Sequence, residues 1–506
     1  MPRYVLANRR RGLYTDEKKI VSRAAVQAAL GWLGTAQLVA DHDPADPLAR
    51  QVSIIEADPM EIVALRKKLQ PDAILEPAIR RSLHRLTVPI ELEAAIPDAA
   101  ANEPAGGSYE VTITAGGAAL ADTDVMVYFR DSGGLIRVTT FQTDAAGVIK
   151  VAVPNGFDVA FVEPIPYAGF WIMFSAAPPS GSTIDCPPIA KADAGGGGWW
   201  HEAMKVDLGD ASRGAGIKVG VIDTGCGPHP NLEHVTLVGA FIDGSVLPPS
   251  EGLDAGEHGT HTSGIIGARP SKSGDYAGIA PGCELFHARV FKGEGRDDGP
   301  TQADIINAID SLSRDHQCDL INMSLGGGPT SKAEKDAIRD AAERGTLCIC
   351  SAGNKAGAIE FPAAYADCAA VSAIGKVGQA PPGTFSANNQ SHDASKIVDD
   401  LFLASFSCFG PVLACAAPGV GIVSAVPDRT GFSGAYMEMD GTSMASPAVC
   451  GTLAVILSKD ATYLALPRDF NRSQRAAQIL AQHCKDFGLS PNFEGRGLPT
   501  VSITGL

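Results

Sequence analysis

Hydrophobic and polar positions change period along the chain, and the changes divide it into three blocks. In the first, residues 1–92, Gln51–Glu56 (QVSIIE) predicts a short strand. Asp58-Pro59 then supplies an N-cap and a first-turn proline. The helix that follows, over Met60–Leu69, has Ile62, Leu65 and Leu69 on one side and Arg66, Lys67 and Lys68 on the other. A second apolar stretch, Ala73–Leu75, follows Pro71-Asp72, so the block predicts a small open-sheet α/β unit. Residues 93–107 are rich in Pro, Ala and Gly and read as a linker. The second block, 108–176, alternates at period two: Tyr109, Val111 and Ile113 share one face, as do Val125, Val127 and Phe129. Turn signals at 131–134 (DSGG), 143–147 (TDAAG) and 154–156 (PNG) separate the strands, which predicts an all-β sandwich. After a second linker, 177–198, the third block, 199–506, alternates buried strands with helices. Lys218–Ile222, Leu285–Val290, Asp319–Met323, Thr346–Cys350 and Ala369–Ile374 read as strands of a parallel sheet, with helices over Gln302–Arg314 and Lys332–Arg344. The fold class is therefore α/β, a doubly wound, mostly parallel sheet preceded by a small α/β unit and an all-β sandwich.

Composition narrows the partners. Of 506 residues, 41 are basic and 57 acidic, a formal charge of −16, which argues against nucleic acid. No apolar run reaches 18 residues, so no membrane span is expected. The charged N-terminus lacks an apolar core of secretory type, and the 11 cysteines, an odd number, all lie at or beyond Cys186. These features predict a reduced, cytoplasmic protein; export without an N-terminal signal stays open.

In open α/β sheets, ligands bind beyond the carboxyl ends of the strands, so chemistry belongs just after each strand. Asp223, in GVIDTG, ends a buried apolar strand, where its charge needs a partner. His258, in EHGTHTSGIIG, opens an apolar helix, and Ser443, in GTSMASPAVCG, starts a small-residue helix on which Pro447 is tolerated only near the first turn. Acyl transfer needs a hydroxyl nucleophile, an imidazole base and a carboxylate that fixes the imidazole tautomer, and one chain order of the three is Asp…His…Ser. Asn354, in CSAGN, offers a side-chain amide for a developing oxyanion, with the Ser443 N–H as second donor. Ser324-Leu325-Gly326-Gly327, just after a strand, offers backbone with which an extended peptide can pair.

Together with GIAP (278–281), FSCFGP (406–411), APGVGIVS (417–424) and GRGLP (495–499), these motifs make the third block resemble the subtilisin-family (subtilase) serine proteases over about 300 residues. The resemblance implies a subtilisin-like fold with Asp223, His258 and Ser443 as triad and Asn354 as oxyanion donor. It implies a substrate site over Ser324, Leu325, Gly326, Gly327, Ser351, Ala352 and Gly353. His261 is then structural, because the first histidine of HGTH is the base. VSIIE, the following helix and LEPAIRRSL resemble the family's inhibitory prodomain. Thr143–Val162 resembles transthyretin-like or carboxypeptidase-regulatory-like β-domains, either a module that binds a partner or the prodomain, or a rigid spacer.

By the same resemblance, Glu360, before Phe361-Pro362, lies at the base of the primary specificity pocket. A carboxylate there favours a basic residue before the cut bond, unless Lys355 neutralises it. Basic residues at 80–85 (RRSLHR) place a self-cleavage point near 80–92; the 177–198 linker is the other candidate. The chain departs from the family at Ala268–Tyr276, where one carboxylate and two basic residues stand in place of an Asn-rich calcium loop, poor chemistry for a hard cation, while structural calcium elsewhere stays open. Residues 378–403 form an insertion expected as a polar surface loop. Cys226, three residues after Asp223, is either a packing residue or a thiol that makes activity redox-sensitive. The expected protein is a self-processing serine endopeptidase acting on protein or peptide substrates, with its own prodomain as partner in cis and no cofactor required for the chemistry. The alternative is a catalytically silent protease-like binding protein held shut by its N-terminal domains.

Overall fold

Strands in the third block are apolar on both faces because helices cover both faces. The structure, a computed structural model, describes residues 1–8, 23–44, 50–69, 72–84, 105–193, 195–295, 298–429 and 431–502. In the C-terminal body, Thr236–Ile242, Glu284–Arg289, Lys218–Asp223, Leu320–Met323, Leu347–Ser351, Cys368–Lys376 and Leu413–Pro418 pair in parallel in that spatial order within a mixed ten-stranded sheet. On one face, Val219 and Val221 pack against the helices His258–Gly267 and Thr442–Leu457. On the other, Ile222 and Ile321 pack against Gln302–Asp310 and Lys332–Glu343. Both faces are thus lined by buried side chains, which is why these strands show no polar alternation.

The N-terminal unit is a four-stranded antiparallel sheet, in the order Gln37–His42, Val52–Glu56, Arg3–Asn8, Ala73–Pro77. The helices Ala24–Leu30 and Pro59–Lys68 cover one face through Val26, Ile62 and Leu65. Asp58 caps the second helix by accepting from the Met60 N–H at 2.8 Å. Val5, Val52, Ile54 and Ile74 on the other face join the apolar cluster of the C-terminal body that contains Ile305 and Ile309.

Between these units, two antiparallel-rich sheets share one core of Tyr109, Val111, Ile113, Val125, Val127, Phe129, Ile149 and Val151. Here the structure corrects the expected boundary at 176. Ser182–Asp185 pairs in parallel with Ala105–Ala115 and buries Ile184 in that core. The strand is short, carries one buried apolar side chain and reaches its partner across about 70 residues, so local pattern gives it no signal. Residues 93–104 of the expected linker lie outside the described residues.

Two further expectations change. The insertion 378–403 is not simply a polar loop: Leu401–Leu403 and Ile397–Val398 extend the main sheet at its edge, burying Phe402 and Leu403. Gly375 makes room, since a Cβ there would lie 2.2 Å from the Phe402 ring. Pro447 is the sixth residue of its helix, beyond the first turn. It has no N–H for the Ser443 carbonyl, and that carbonyl accepts instead from Ser324 Oγ at 2.9 Å. No helix among the described residues is long and apolar enough to cross a membrane.

Candidate active site

The polar residues at strand and helix ends converge beyond the carboxyl edge of the sheet. Asp223 is fully buried; its Oδ1 lies 2.7 Å from His258 Nδ1 and accepts from the Thr224 N–H at 2.8 Å. Thr262 Oγ1 donates to Oδ2 at 3.3 Å. These contacts orient the imidazole with Nδ1 toward the carboxylate. His258 Nε2 is buried and makes no hydrogen bond among the described residues. Ser443 does not reach it here: its hydroxyl donates to the Ser324 carbonyl at 3.0 Å. A rotation of that side chain is needed before Ser443 and His258 can share a proton.

Several residues that local pattern did not single out support this arrangement. Asp254 accepts from Thr224 Oγ1 at 2.7 Å and from the Thr260 N–H at 2.7 Å, tying the end of the Asp223 strand to the His258 helix. Burial outweighs these bonds and raises the Asp254 carboxyl to about 7. Glu294 Oε1 accepts from the N–H groups of Glu257 and His258, at 2.6 and 2.9 Å, at the helix N-terminus. Burial pushes His287 down to about 4, and its Nε2 accepts from the Gly225 N–H at 3.2 Å behind Asp223. None carries a local motif; only tertiary contact brings them together.

Asn354 is fixed from one side and presents its amide on the other. Its Oδ1 accepts from the Thr442 N–H at 3.0 Å and Thr442 Oγ1 at 2.9 Å, leaving Nδ2 as donor into the cleft. That amide donates to the backbone carbonyl of His84, to which the Ser443 N–H also donates at 3.3 Å. Two donors on one carbonyl, beside a hydroxyl, form the geometry that stabilises an oxyanion in acyl transfer.

The occupant of the cleft is the end of the N-terminal unit itself. Ser82–Leu83 pairs antiparallel with Leu325–Gly326, in the register Leu83 with Leu325 and Ser82 with Gly326. The His84 N–H donates to the Ser324 carbonyl at 3.3 Å. On its other side the segment meets 299–302: the Arg81 N–H donates to the Pro300 carbonyl at 2.9 Å, and Arg80 bridges Thr301. This second wall, including Gly299, was absent from the expectation. Gly299 is obligatory there, since a Cβ would lie 2.0 Å from the Arg81 carbonyl oxygen.

The His84 side chain enters the slot expected of the first residue before a cut bond. Its Nδ1 lies 2.6 Å from Ser351 Oγ and its Nε2 2.8 Å from Glu360 Oε2. Gly326 forms one wall, where a Cβ would come within 2.5 Å of the imidazole. Ala352 accepts from the Glu360 N–H at 2.9 Å, and Gly353 donates to Thr442 Oγ1 at 3.1 Å, so both shape the slot through backbone. Gly327 contributes its carbonyl to the Arg81 guanidinium. Lys355 also reaches Glu360, at Oε1 and 2.9 Å, so the carboxylate meets both the imidazole in the slot and an ammonium. Burial opposes ionisation of Glu360, but the His84 imidazole and then Lys355 outweigh it and hold the carboxyl at about 2.

Three residues stand apart from this site. His261 points the other way, its Nε2 3.0 Å from the carbonyls of Ile422 and Met437. Cys226 packs with Leu232 and Ala425, and burial pushes its thiol up to about 12, which makes it a packing residue and a poor nucleophile. The one carboxylate of 268–276, Asp275, accepts from the N–H groups of Ser271 and Lys272, each at 3.1 Å, and so shapes its own loop.

Residues 214–479 match the Peptidase S8 subtilase family. The chain is 33% identical over 279 residues to the major intracellular serine protease of Bacillus subtilis (strain 168), covering 53% of this chain and 75% of that protein. It is 34% identical over 253 residues to subtilisin DY of Bacillus licheniformis, covering 49% and 78%. It is 32% identical over 297 residues to the intracellular serine protease of Paenibacillus polymyxa, covering 57% and 79%. The chain belongs to the subtilase family and is a serine endopeptidase.

Proposed function

We infer that the enzyme is made as a self-processing zymogen that cuts its own chain between residues 84 and 85, and that residues 1–84 are its inhibitory prodomain. The observation that carries this reading is the His84 carbonyl, which accepts from both Asn354 Nδ2 and the Ser443 N–H while the strand before it lies in the cleft. In this reading Ser443 rotates from the Ser324 carbonyl toward His258 Nε2. The imidazole takes the hydroxyl proton as Oγ attacks the His84 carbonyl carbon, and Asp223 stabilises the resulting imidazolium. The amide of Asn354 and the N–H of Ser443 receive the oxyanion. His258 returns the proton to the leaving amine, and water then releases the acyl group by the same steps. These groups supply every proton transfer, so no cofactor is invoked. Residues 85–92 of the expected processing window lie outside the described residues. The 177–198 linker carries the paired strand Ser182–Asp185, which disfavours it as the first cut.

A basic residue before the cut bond is the preference this reading supports, because Glu360 meets the His84 ring inside the slot. The free thiols, and two relatives named as intracellular proteases, support a reducing compartment as its place of work. Purified protein is expected to react with a fluorophosphonate probe at Ser443 and to yield a new N-terminus at Arg85 by mass spectrometry. A protein that stays unlabelled and intact would instead be the silent binding protein of the alternative. Asn354→Ala is expected to lower kcat about 100- to 1,000-fold with a smaller change in KM, as befits a donor used chiefly on the developing oxyanion. A loss of less than tenfold in steady-state peptide hydrolysis would remove Asn354 from this role.

A further inference from the structure

Arg81 is the largest fully buried side chain described in the protein. It lies three residues before His84, so it is the fourth residue before the bond that the proposed function places at the catalytic serine. Its partner is Glu334, in the first turn of the helix Lys332–Glu343, and the side chains of both are 0% exposed. The guanidinium grips the carboxylate with two groups: Nη2 lies 2.5 Å from Oε2 and Nε 3.2 Å from Oε1. Its remaining edge is used as well, since Nη1 donates to the carbonyls of Gly327 and Pro329, the latter at 3.0 Å. The Tyr365 hydroxyl lies 3.0 Å from Glu334 Oε2 and so helps position the carboxylate.

This pair spans the cut that the zymogen reading requires. Arg81 leaves with the N-terminal unit, whereas Glu334 stays in the enzyme. A carboxylate sealed from water without its cation is costly, and a peptide that restores a cation removes that cost. A peptide with a neutral side chain at the same position desolvates Glu334 and returns nothing. The fork of two carboxylate oxygens and two carbonyls also matches the planar guanidinium, whereas an ammonium presents one compact point of charge.

We propose that Glu334 selects substrates with arginine at the fourth position before the cut bond, so that the enzyme reads two positions of one substrate strand, through Glu334 and Glu360. The proposal rests on the reading that the His84 carbonyl marks the scissile bond. It is tested with the matured wild-type enzyme and quenched fluorescent peptides of sequence Xaa-Ser-Leu-His-Arg-Ser, in which Xaa is Arg, Lys, citrulline or Leu. Competent sites are counted by fluorophosphonate labelling of Ser443. Citrulline keeps the shape of arginine and removes its charge. The expected result is a kcat/KM for Arg at least about 100-fold above citrulline and Leu, and about 10-fold above Lys. In Glu334→Gln the Arg-to-citrulline ratio is expected to fall below about 5, which a merely structural role for Glu334 would not produce. Equal rates for Arg and citrulline in the wild type overturn the proposal whether or not the variant folds. Cleavage of all four peptides at similar rates leaves the protease reading intact and sinks this one alone. Failure to cut any peptide, with Ser443 unlabelled, overturns both.

Discussion

Ser443→Ala is expected to leave the chain uncut at 506 residues, while the wild type separates into fragments ending at His84 and starting at Arg85. Hydrolysis of a good peptide should fall about 10⁶-fold, the scale of loss known when the equivalent serine of subtilisin is removed. The geometry favours an interpretable outcome. Among the described residues the Ser443 side chain makes one hydrogen bond, to the Ser324 carbonyl, and that carbonyl keeps the His84 N–H as a donor after the substitution. The two donors to the His84 carbonyl, Asn354 Nδ2 and the backbone N–H of residue 443, are also retained. The variant should therefore fold and hold its N-terminal strand while lacking the nucleophile. Intact-mass spectrometry after prolonged incubation of pure protein checks this. Maturation of the variant to wild-type termini would show that another agent makes the cut.

The second large effect concerns Asp223. Asp223→Asn keeps the shape of a side chain that is fully enclosed, yet removes its charge. If the amide NH₂ faces His258 Nδ1, the ring must accept there and carry its proton on Nε2, where the serine needs a base. If the amide oxygen faces Nδ1, Thr262 Oγ1 can accept from the NH₂ and the tautomer survives, but the imidazolium loses its counter-charge. Either outcome strikes kcat, and about 10⁴-fold is the expected size. KM should move much less, because Asp223 makes none of the described contacts with the strand in the cleft. Steady-state kinetics would overturn the assignment if kcat fell less than tenfold.

The parts of this site that were legible in the sequence are those that obey local rules. Asp223 ends a run of apolar residues, His258 opens an apolar helix, and Ser443 sits between Gly441 and a small-residue helix. Each therefore announces a carboxyl-edge position without any knowledge of its partners. The unread parts depend on contacts between distant segments. Glu334 lies on the helix expected over Lys332–Arg344, and nothing nearby predicts that it will be sealed by Arg81, 253 residues earlier. Asp254, Glu294 and Thr442 are likewise ordinary loop or cap residues until tertiary structure sets them around His258 and Asn354. The fold shows the same division. Five strands of the central sheet were legible as continuous apolar runs, whereas Thr236–Ile242 and Leu413–Pro418 in the same parallel set were not. Ser182–Asp185 was not, because a four-residue strand with one buried apolar side chain carries too little pattern. Leu401–Leu403 hid inside a polar insertion for the same reason.

The contacts of residues 1–84 with the C-terminal body reach well beyond the cleft. Arg50 forms a buried pair with Asp340 at 2.5 Å, and Glu76 accepts from the Lys332 N–H at 3.0 Å at the start of the same helix that carries Glu334. In the proposed zymogen these contacts re-form after every opening while the chain is whole, because the tether holds residues 1–84 at an effective concentration on the order of millimolar. Once the bond after residue 84 is cut, the same contacts obey mass action between two separate molecules. Their occupancy then falls with dilution although no contact has changed. In that reading, scission converts a concentration-independent lock into one that opens with volume, so that a crowded site of synthesis would keep the enzyme silent and dispersal from it would start hydrolysis.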